Sequence, residues 1–240
     1  MFIDKISLKS KPNDYTAYLP AVKHLFEHPL KISSPITFFV GENGTGKSTL
    51  LEAIAVAIGF NAEGGSRNYH FSTKTTHSDL YRHLTVARNA QMKDGYFLRA
   101  ESFYNTASYL DEVEKEDGSR FASYGGRSLH LQSHGESFLA LIQNRFSGSG
   151  LYLLDEPEAA LSPMRQMTLM IELDRLKKSG SQFIIATHSP MLITLPGCEV
   201  LEFTENGINS VPYQKTEHFQ VMKSFLSDPN RMLGYLLDEE

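Results

Sequence analysis

Short apolar runs alternate along this chain with segments in which apolar residues recur at helical spacing. Three runs, at 36–40, 151–154 and 183–186, consist of β-branched, aromatic or aliphatic residues throughout. Continuous runs of this kind are typical of strands that are buried on both faces of a parallel sheet. The pattern therefore predicts an α/β fold in which a mostly parallel sheet is flanked by helices.

Two segments have the apolar periodicity of helices that pack on such a sheet. One follows the first run and stops at Gly59, and its apolar stripe consists of Leu51, Ile54, Ala55 and Ile58. The other starts at Ser162 and Pro163, residue types that favour the N-cap and the first helical position. It stops at Gly180, and its stripe consists of Leu169, Leu173 and Leu176.

The rest of the chain is less regular. Residues 61–95 are the least regular part, rich in polar residues, histidine and arginine, and we expect the charged stretch 111–120 to be an exposed excursion. The sequence contains no internal repeat, no low-complexity tract and no sustained heptad pattern. We therefore expect residues 1–240 to form one domain, with a lobe at 61–140.

The composition is that of an ordinary globular protein, with 41% hydrophobic and 21% charged residues. The net charge of −5 argues against non-specific nucleic-acid binding by the whole surface, although it is compatible with a local basic patch. Cys198 is the single cysteine, so no intrachain disulfide can form, and no apolar stretch is long enough to span a bilayer. We therefore expect a cytoplasmic protein that does not insert into a membrane.

The segment GENGTGKST, residues 41–49, carries the pattern G-x-x-x-x-G-K-[ST]. It lies between a predicted strand and a predicted helix, the context that distinguishes a phosphate-binding loop from a glycine-rich turn. The helix start favours an anion, Lys47 brings a positive charge to the phosphates, and the Ser48 hydroxyl can bind Mg²⁺. The expected nucleotide-binding residues are Gly41, Asn43, Gly44, Thr45, Gly46, Lys47, Ser48 and Thr49.

Polar residues follow the two other predicted strands. Asp155 ends one strand and is placed to hold Mg²⁺, and Glu156 can polarise a water for attack on a γ-phosphate. Residues 187–189, with His188 in the middle, follow the other strand. Because ligands bind at the carboxyl ends of strands in open α/β sheets, we expect three strand ends to meet at one nucleotide. Taken alone, the Asp–Glu pair could be a solvated strand exit, and His188 a hydrogen-bonded structural histidine.

In their order along the chain, these motifs resemble those of the ATP-binding-cassette (ABC) ATPases. Among these ATPases, the motifs resemble the branch that is related to SMC and RecF-type chromosome and repair proteins. Within that branch, they resemble the small stand-alone bacterial ATPases of the AAA family. GENGTGKST is similar to Walker A, LLDEPEAALSP to Walker B with its D-loop, and THSP to the switch histidine. LQSHGES, residues 131–137, occupies the place of the signature motif. The resemblance implies a P-loop NTPase fold with a mostly parallel sheet, an N-terminal antiparallel β part and a small helical lobe.

The sequence departs from the family pattern at three places. Ser162 stands where the D-loop usually has aspartate. The usual signature Ser-Gly-Gly-Gln is replaced by Ser-His-Gly-Glu at 133–136, in which Ser133 and Gly135 can still bind phosphate but Glu136 replaces the glutamine. No glutamine that could approach Mg²⁺ is evident after the next strand. Glu101 is the candidate for that role, and the alternative is a charged residue at a strand end.

The resemblance further implies a Mg²⁺-dependent ATPase that forms a homodimer with ATP between its subunits. The residues implied to contact the partner subunit's ATP are Ser133, Gly135 and Glu136. Catalysis is assigned to Glu156, His188 and Lys47, and the metal to Ser48, Asp155 and Glu101. Two alternatives stay open, namely the nucleotide-binding subunit of an ABC transporter and a non-hydrolysing ATP sensor. The motifs do not determine whether the client is DNA or an effector protein.

Two further clusters are weaker. Basic and aromatic residues between 67 and 88 could form a nucleic-acid or partner face, although a solvated lobe is the commoner origin of such a mixture. They are Arg67, His70, Lys74, Arg82 and Arg88, with Tyr69, Phe71 and Tyr81. His130 and His134 have a spacing that can bind zinc on a helix, but no third ligand is nearby in the sequence.

Overall fold

The computed structural model describes residues 1–66, 78–101, 103 and 133–237. The strands are β1 (Ile3–Leu8), β2 (Leu30–Lys31), β3 (Ile36–Gly41), β4 (Gly65–Ser66), β5 (Leu84–Arg88), β6 (Asp94–Arg99), β7 (Gly150–Asp155), β8 (Gln182–Ala186), β9 (Glu199–Thr204) and β10 (Gly207–Ser210). The helices are α1 (Pro20–Glu27), α2 (Lys47–Ala57), α3 (Leu80–His83), α4 (His134–Arg145), α5 (Pro163–Lys178), α6 (Glu217–Ser227) and α7 (Pro229–Leu237). The stretch 111–120, His130 and the basic stretch up to residue 77 lie outside the described residues.

Within the described residues, the main sheet has seven strands in the spatial order β10–β9–β3–β8–β7–β6–β4. Its central strands, from β9 to β6, run parallel, and the outer strands β10 and β4 pair antiparallel with their neighbours. β8 lies between β3 and β7, with Ala186 opposite Phe39 on one side and Asp155 on the other. The carboxyl ends of these strands therefore meet at one edge of the sheet.

Strands β3, β7 and β8 are buried on both faces, as their apolar runs predict. Alternate residues of β7 point to opposite sides, so that Tyr152 and Leu154 belong to one apolar cluster and Leu151 and Leu153 to the other. The first cluster includes the stripe of α5, Leu169, Leu173 and Leu176. The second includes the stripe of α2, Leu51, Ile54, Ala55 and Ile58. The two helices therefore pack on opposite faces of the sheet.

A second, antiparallel sheet has the order β2–β1–β5. Strands β1 and β2 form the N-terminal antiparallel part that the resemblance implies. β5 pairs with β1 and falls within 61–95, so this stretch is more regular than its polar composition suggests. A strand of five residues depends more on its pairing partner than on its own apolar pattern, which explains why the sequence did not indicate it.

Gln182 joins the two sheets. Its side chain is buried at the start of β8, where Oε1 accepts hydrogen bonds from the backbone N–H groups of Phe2 (2.6 Å) and Ile3 (2.9 Å). Nε2 donates to the Ile3 carbonyl oxygen at 2.7 Å. One amide therefore pairs with backbone donors and an acceptor of the N-terminal strand, groups that need partners when they are buried.

We expect Gln182→Leu to lower the free energy of unfolding by about 2–4 kcal/mol, because a buried polar group without a partner costs about 1–3 kcal/mol. Gln143→Leu is the matched control, since Gln143 is exposed on α4 and the same substitution there should change stability by less than about 0.5 kcal/mol. Urea denaturation followed by circular dichroism measures both variants. Equal stability of Gln182→Leu and wild type would show that the amide does not hold the sheets together.

Candidate active site

The loop between β3 and α2 has a backbone that requires glycine at both ends. Gly41 has a φ of 133°, and a Cβ there would lie 2.0 Å from the carbonyl oxygen of Phe203. Gly46 has a φ of 97° and is the N-cap of α2. α2 begins directly after the loop, and the backbone N–H groups of its first turn have no partner within the helix. Such an arrangement binds phosphate.

Lys47 lies inside the curve of this loop and is only 5% exposed. Its Nζ donates hydrogen bonds to the carbonyl oxygens of Gly41 (2.6 Å) and Glu42 (2.9 Å). Burial lowers the pKa of Lys47. Four nearby carboxylates oppose this shift, namely those of Glu156, Glu42, Asp155 and Glu158. The lysine is therefore a cation in an acidic neighbourhood.

The other predicted nucleotide-binding residues complete the loop and the first turn of α2. The Thr45 hydroxyl donates to the Glu42 carbonyl oxygen at 2.8 Å, and the Thr45 carbonyl accepts from Ala21 N–H at 3.2 Å, which ties the loop to α1. Asn43 and Gly44 are exposed in the loop, and Ser48 and Thr49 are half-buried in the helix. A cleft of about 470 Å³ lies beside the loop and is lined on its other side by the β9–β10 turn and Glu217.

Asp155 ends β7 and is 7% exposed. The Ser48 hydroxyl hydrogen-bonds to its carboxyl group, which brings the end of β7 together with the first turn of α2. Burial raises the pKa of Asp155 to about 6, although the Ser48 hydrogen bond and the Arg99 charge oppose the shift. Oδ1 is buried and accepts no hydrogen bond from the described residues. A buried carboxylate oxygen without a donor, next to a hydroxyl, suits a hard cation such as Mg²⁺.

Glu156 adopts a left-handed backbone conformation, with φ 50° and ψ 51°, which residues other than glycine rarely do. Its N–H donates to the Ala186 carbonyl oxygen at 2.9 Å, so the residue is held against the end of β8. Its Oε1 lies 3.8 Å from Nε2 of His188, and both side chains are partly exposed. Backbone strain of this kind costs about 1–3 kcal/mol and is commonly found at functional sites.

Glu158 is a residue of this site that the sequence did not indicate. Its Oε2 accepts a hydrogen bond from Thr187 Oγ1 at 2.7 Å, and its Oε1 accepts from the His188 backbone N–H at 2.5 Å. One carboxylate thus fixes the backbone of His188 and the residue before it. The only sequence signal was a further acidic residue after Glu156, which is equally typical of a solvated turn.

Arg99, at the end of β6, is the second such residue. It lies opposite Asp155 in the sheet, with Nε 3.5 Å from Asp155 Oδ2, and its Nη1 forms an ion pair of 2.6 Å with Glu52 of α2. Glu101, predicted to approach Mg²⁺, has a side chain that is 86% exposed and lies 3.7 Å from Arg99 Nη2. The group in direct contact with Asp155 on this side is therefore a cation, and Glu101 contacts that cation.

Residues 133–137 of the signature segment lie at the start of α4. Ser133 is the N-cap, and Glu136 completes a capping box by accepting from the Ser133 N–H through Oε2 at 3.0 Å. Arg165 of α5 donates to Ser133 Oγ and to Glu136 Oε1, both at 2.9 Å. Hydrogen bonds from Ser133 and the Arg165 charge lower the pKa of Glu136. Both carboxylate oxygens of Glu136 are therefore engaged within its own subunit, and Gly135 lies against the same arginine.

The basic and aromatic stretch is described only at its C-terminal part. Arg82 and Arg88 are exposed there. Arg82 lies 3.4 Å from Asp79, and its guanidinium carbon is 5.5 Å from the centre of the Tyr81 ring. These contacts are local, and they fit a solvated lobe as well as a nucleic-acid face.

Two family profiles match the chain. One, described as "AAA domain", matches residues 24–142. The other, described as "AAA domain, putative AbiEii toxin, Type IV TA system", matches residues 123–194. Together they include the loop at 41–49, the segment at 133–136, the Asp155–Glu156 pair and His188.

Individual relatives agree with the profiles. A "Putative ABC transporter ATP-binding protein" of Caldanaerobacter subterraneus subsp. tengcongensis is 29% identical over 202 residues, which are 78% of this chain and 82% of that protein. "Structural maintenance of chromosomes protein 6" of Takifugu rubripes is 26% identical over 119 residues, which are 50% of this chain but only 11% of that protein. The structure of cbiO1 from Clostridium perfringens, part of the ABC transporter complex cbiONQ, has the same fold, with 99% of both chains covered, 18% identity and a TM-score of 0.53.

The chain is a P-loop ATPase of the ABC and SMC-like type. No helix in the described part of the ATPase is long and apolar enough to cross a membrane. Among the same residues, no group of three or more His, Cys, Asp and Glu side chains could hold a metal ion. A Mg²⁺ ion at Ser48 and Asp155 would therefore depend on phosphate oxygens and water for its other ligands, as Mg²⁺ bound with nucleotides commonly does.

We expect Asp155→Asn to stabilise the nucleotide-free ATPase at pH 7.5. Because its pKa is raised, Asp155 binds a proton more tightly in the folded than in the unfolded state, so it destabilises the fold as the pH rises from about 4 to about 6. The full pKa difference corresponds to about 3 kcal/mol. The variant should exceed the wild-type free energy of unfolding by about 1–3 kcal/mol at pH 7.5 and lose most of this gain at pH 4.

Urea denaturation in EDTA at both pH values measures this difference. Asp174→Asn is the control of opposite sign, since the ion pairs of Asp174 with Lys178 and Lys177 lower its pKa and its removal should not stabilise the protein at pH 7.5. If Asp155→Asn is no more stable than wild type at pH 7.5, burial of the ionised Asp155 carboxylate does not destabilise the fold.

Proposed function

We propose that this ATPase hydrolyses ATP in a Mg²⁺-dependent reaction and works as a homodimer with ATP between its subunits. The observation that carries the proposal is the meeting of Lys47, Asp155, Glu156 and His188 at the shared edge of β3, β8 and β7. A phosphate-binding cation, a metal ligand and a base for water are the groups that phosphoryl transfer to water requires.

The charge of the site supports Mg²⁺ as the cofactor. Several carboxylates surround Lys47, and the triphosphate of ATP would add more negative charge. One lysine does not balance this charge, whereas a divalent cation between Asp155, Ser48 and the phosphates would. When bound, Mg²⁺ would neutralise charge on the β- and γ-phosphates.

Glu156 is the residue suited to activate the attacking water. Its carboxylate would accept a proton from water as the water oxygen attacks the γ-phosphorus and the bond to the bridging β–γ oxygen breaks, releasing ADP. Lys47 would stabilise the charge that develops on the leaving group. His188, whose Nε2 lies 3.8 Å from Glu156 Oε1, would hydrogen-bond to the γ-phosphate in this mechanism, and Glu158 would hold its backbone in place.

The position of the signature segment supports the dimer. Ser133 and Glu136 are exposed at the start of α4, and the Ser133 side chain contacts α4 and α5. A second copy of the chain could therefore bring the γ-phosphate held by its Lys47 to Ser133. The resemblance to SMC and ABC ATPases implies this same arrangement, in which ATP joins the two subunits.

The client of the ATPase is a separate question. We propose an effector protein or DNA as the client, by analogy with the SMC protein that the chain resembles over 11% of that protein's length. A second candidate function is the ATP-binding subunit of an ABC transporter, which the coverage of the Caldanaerobacter protein and of cbiO1 favours. Affinity purification from the native host distinguishes them, since a membrane permease among the bound proteins would favour the transporter.

Lys47→Ala should abolish ATP binding and leave the fold intact, because it removes the cation that faces the phosphates. Titration calorimetry measures the affinity, and thermal unfolding checks the fold. Lys177→Ala is the matched control. Lys177 lies at the other end of α5, where it donates to the Pro196 carbonyl oxygen, so its substitution should not change the affinity for ATP. Equal ATP affinity in Lys47→Ala and wild type would contradict the assignment of the site.

Glu156→Gln should still bind ATP, because the phosphate contacts are assigned to residues 41–48. Loss of a general base typically lowers the rate by ~10²–10⁴-fold, so hydrolysis should become very slow. The slow variant should accumulate as the ATP-bound dimer, since bound ATP stabilises the state that binds it better. Size-exclusion chromatography with Mg-ATP should show a dimer for Glu156→Gln and a smaller species for wild type with ADP.

Ser133→Arg, added to Glu156→Gln, should abolish this dimer by placing bulk where the partner's γ-phosphate must dock. Normal hydrolysis by Glu156→Gln would remove this residue from the mechanism. A Glu156→Gln protein that binds ATP and stays monomeric at every concentration would exclude the sandwich dimer, while the nucleotide site itself would remain.

A further inference from the structure

Arg165, in the first turn of α5, reaches across to the start of α4. Its Nη1 donates to Ser133 Oγ and its Nη2 to Glu136 Oε1, both at 2.9 Å. A Cβ at Gly135 would lie 2.5 Å from Nη1 and 2.8 Å from the carbonyl oxygen of Ala160. The absence of a side chain at Gly135 is therefore what allows the guanidinium to lie against the helix start.

The contact with Arg165 determines what the Ser133 hydroxyl can do. A hydroxyl donates one proton and accepts through two lone pairs. Since Arg165 has no acceptor, Ser133 Oγ accepts from it and keeps its own proton for another group. In the single subunit that proton is within reach of Glu136, and in a dimer it could be donated to a phosphate oxygen.

Glu136 presents a charge problem at this position. Its lowered pKa means that it is ionised at neutral pH, next to the place where the sandwich dimer requires a γ-phosphate. A phosphate would be repelled by a carboxylate that had no counter-ion. Arg165 supplies one through an ion pair of 2.9 Å.

We propose that Arg165 is the positioning residue of the signature segment, which orients Ser133 toward the partner's γ-phosphate and cancels the charge of Glu136. It thereby allows a carboxylate to stand beside the proposed phosphate. The inference rests on the proposed sandwich dimer. A phosphate oxygen that accepts from Ser133 Oγ at about 2.7 Å would lie no more than about 5.6 Å from Nη1, since Nη1 is 2.9 Å from Oγ.

The test measures ATP-dependent dimerisation in the Glu156→Gln background, where hydrolysis is slow. Arg165→Ala should raise the dimer dissociation constant in saturating Mg-ATP by about 10-fold or more, because it leaves Glu136 uncompensated at the interface. Adding Glu136→Gln should recover most of this loss, since it removes the unpaired charge. Arg165→Lys should give an intermediate value, because lysine keeps the charge but lacks the fork that contacts both residues. Sedimentation equilibrium measures each dissociation constant.

Arg175→Ala is the matched control. Arg175 lies on the same helix and pairs with Glu172 at 2.7 Å, so its removal should leave the dissociation constant unchanged. Each variant should bind ATP as the Glu156→Gln parent does, because the phosphate contacts within the subunit belong to residues 41–48. Thermal unfolding checks that each variant is folded. If Arg165→Ala does not fold, the dimer dissociation constants of Arg165→Lys and of the charge-matched variant Arg165→Ala/Glu136→Gln test the inference instead.

The outcomes separate this inference from the proposed function. If Arg165→Ala dimerises as tightly as its parent, the inference is wrong and the sandwich dimer stands. If Glu136→Gln does not restore dimerisation to Arg165→Ala, charge compensation by Arg165 is wrong. If the Glu156→Gln parent never dimerises with Mg-ATP, the proposed dimer itself fails, and the inference fails with it.

Discussion

Backbone hydrogen bonds pair β3 with β8 and β8 with β7, and this register places three chemically different loops side by side. The phosphate-binding loop follows β3, the His188 loop follows β8, and Glu156 follows β7. A slip of one residue in β7 would turn the Asp155 side chain to the opposite face of the sheet, away from Ser48. Apolar side chains buried on both faces oppose such a slip, because each strand residue packs into one of two separate clusters.

The site that results is acidic, and cations balance it at several points. Lys47 lies within the loop, and Arg99 joins Asp155 to Glu52 on α2, so that charge as well as packing connects α2 with β6 and β7. Asp155 nevertheless has a raised pKa, since its burial outweighs these contacts. A Mg²⁺ ion bound with ATP would therefore pair with the Asp155 carboxylate, whose ionised form is unfavourable in this buried position without a partner.

The segment after Glu156 connects the two functional parts of the subunit. Glu158 holds the backbone of His188, and the Gln166 side chain accepts from Ser189 Oγ at 2.6 Å and donates to the Leu161 carbonyl oxygen at 3.2 Å. The neighbouring Arg165 holds Ser133 and Glu136. One turn of α5 thus contacts both the loop proposed to serve the subunit's own nucleotide and the segment proposed to serve the partner's. A shift of α4 on the proposed dimerisation would act on the same helical turn that holds Ser189, the residue after His188.

Local patterns in the sequence were sufficient for the central fold and for the centre of the site. Strands β3, β7 and β8 correspond to continuous apolar runs, and α2 and α5 carry apolar stripes and recognisable end signals. Both kinds of signal depend on residues close together in the chain, so they can be read without knowledge of the fold. The loop at 41–49 and the Asp155–Glu156 pair could be predicted for the same reason.

Other features were decided only by tertiary structure. β5 needs β1 as its partner, and Gln182 binds backbone groups 179 and 180 residues away. Nothing near Glu136 in the sequence indicates that it pairs with Arg165, and nothing near Asp155 indicates that it faces Arg99. The amino-acid sequence by itself determined strands β3, β7 and β8, helices α2 and α5, and the glycine-rich loop between β3 and α2, because these depend on local backbone and apolar pattern. The partners of Glu136 and Asp155 depend on which distant segments the fold brings together, and only the folded chain decides that.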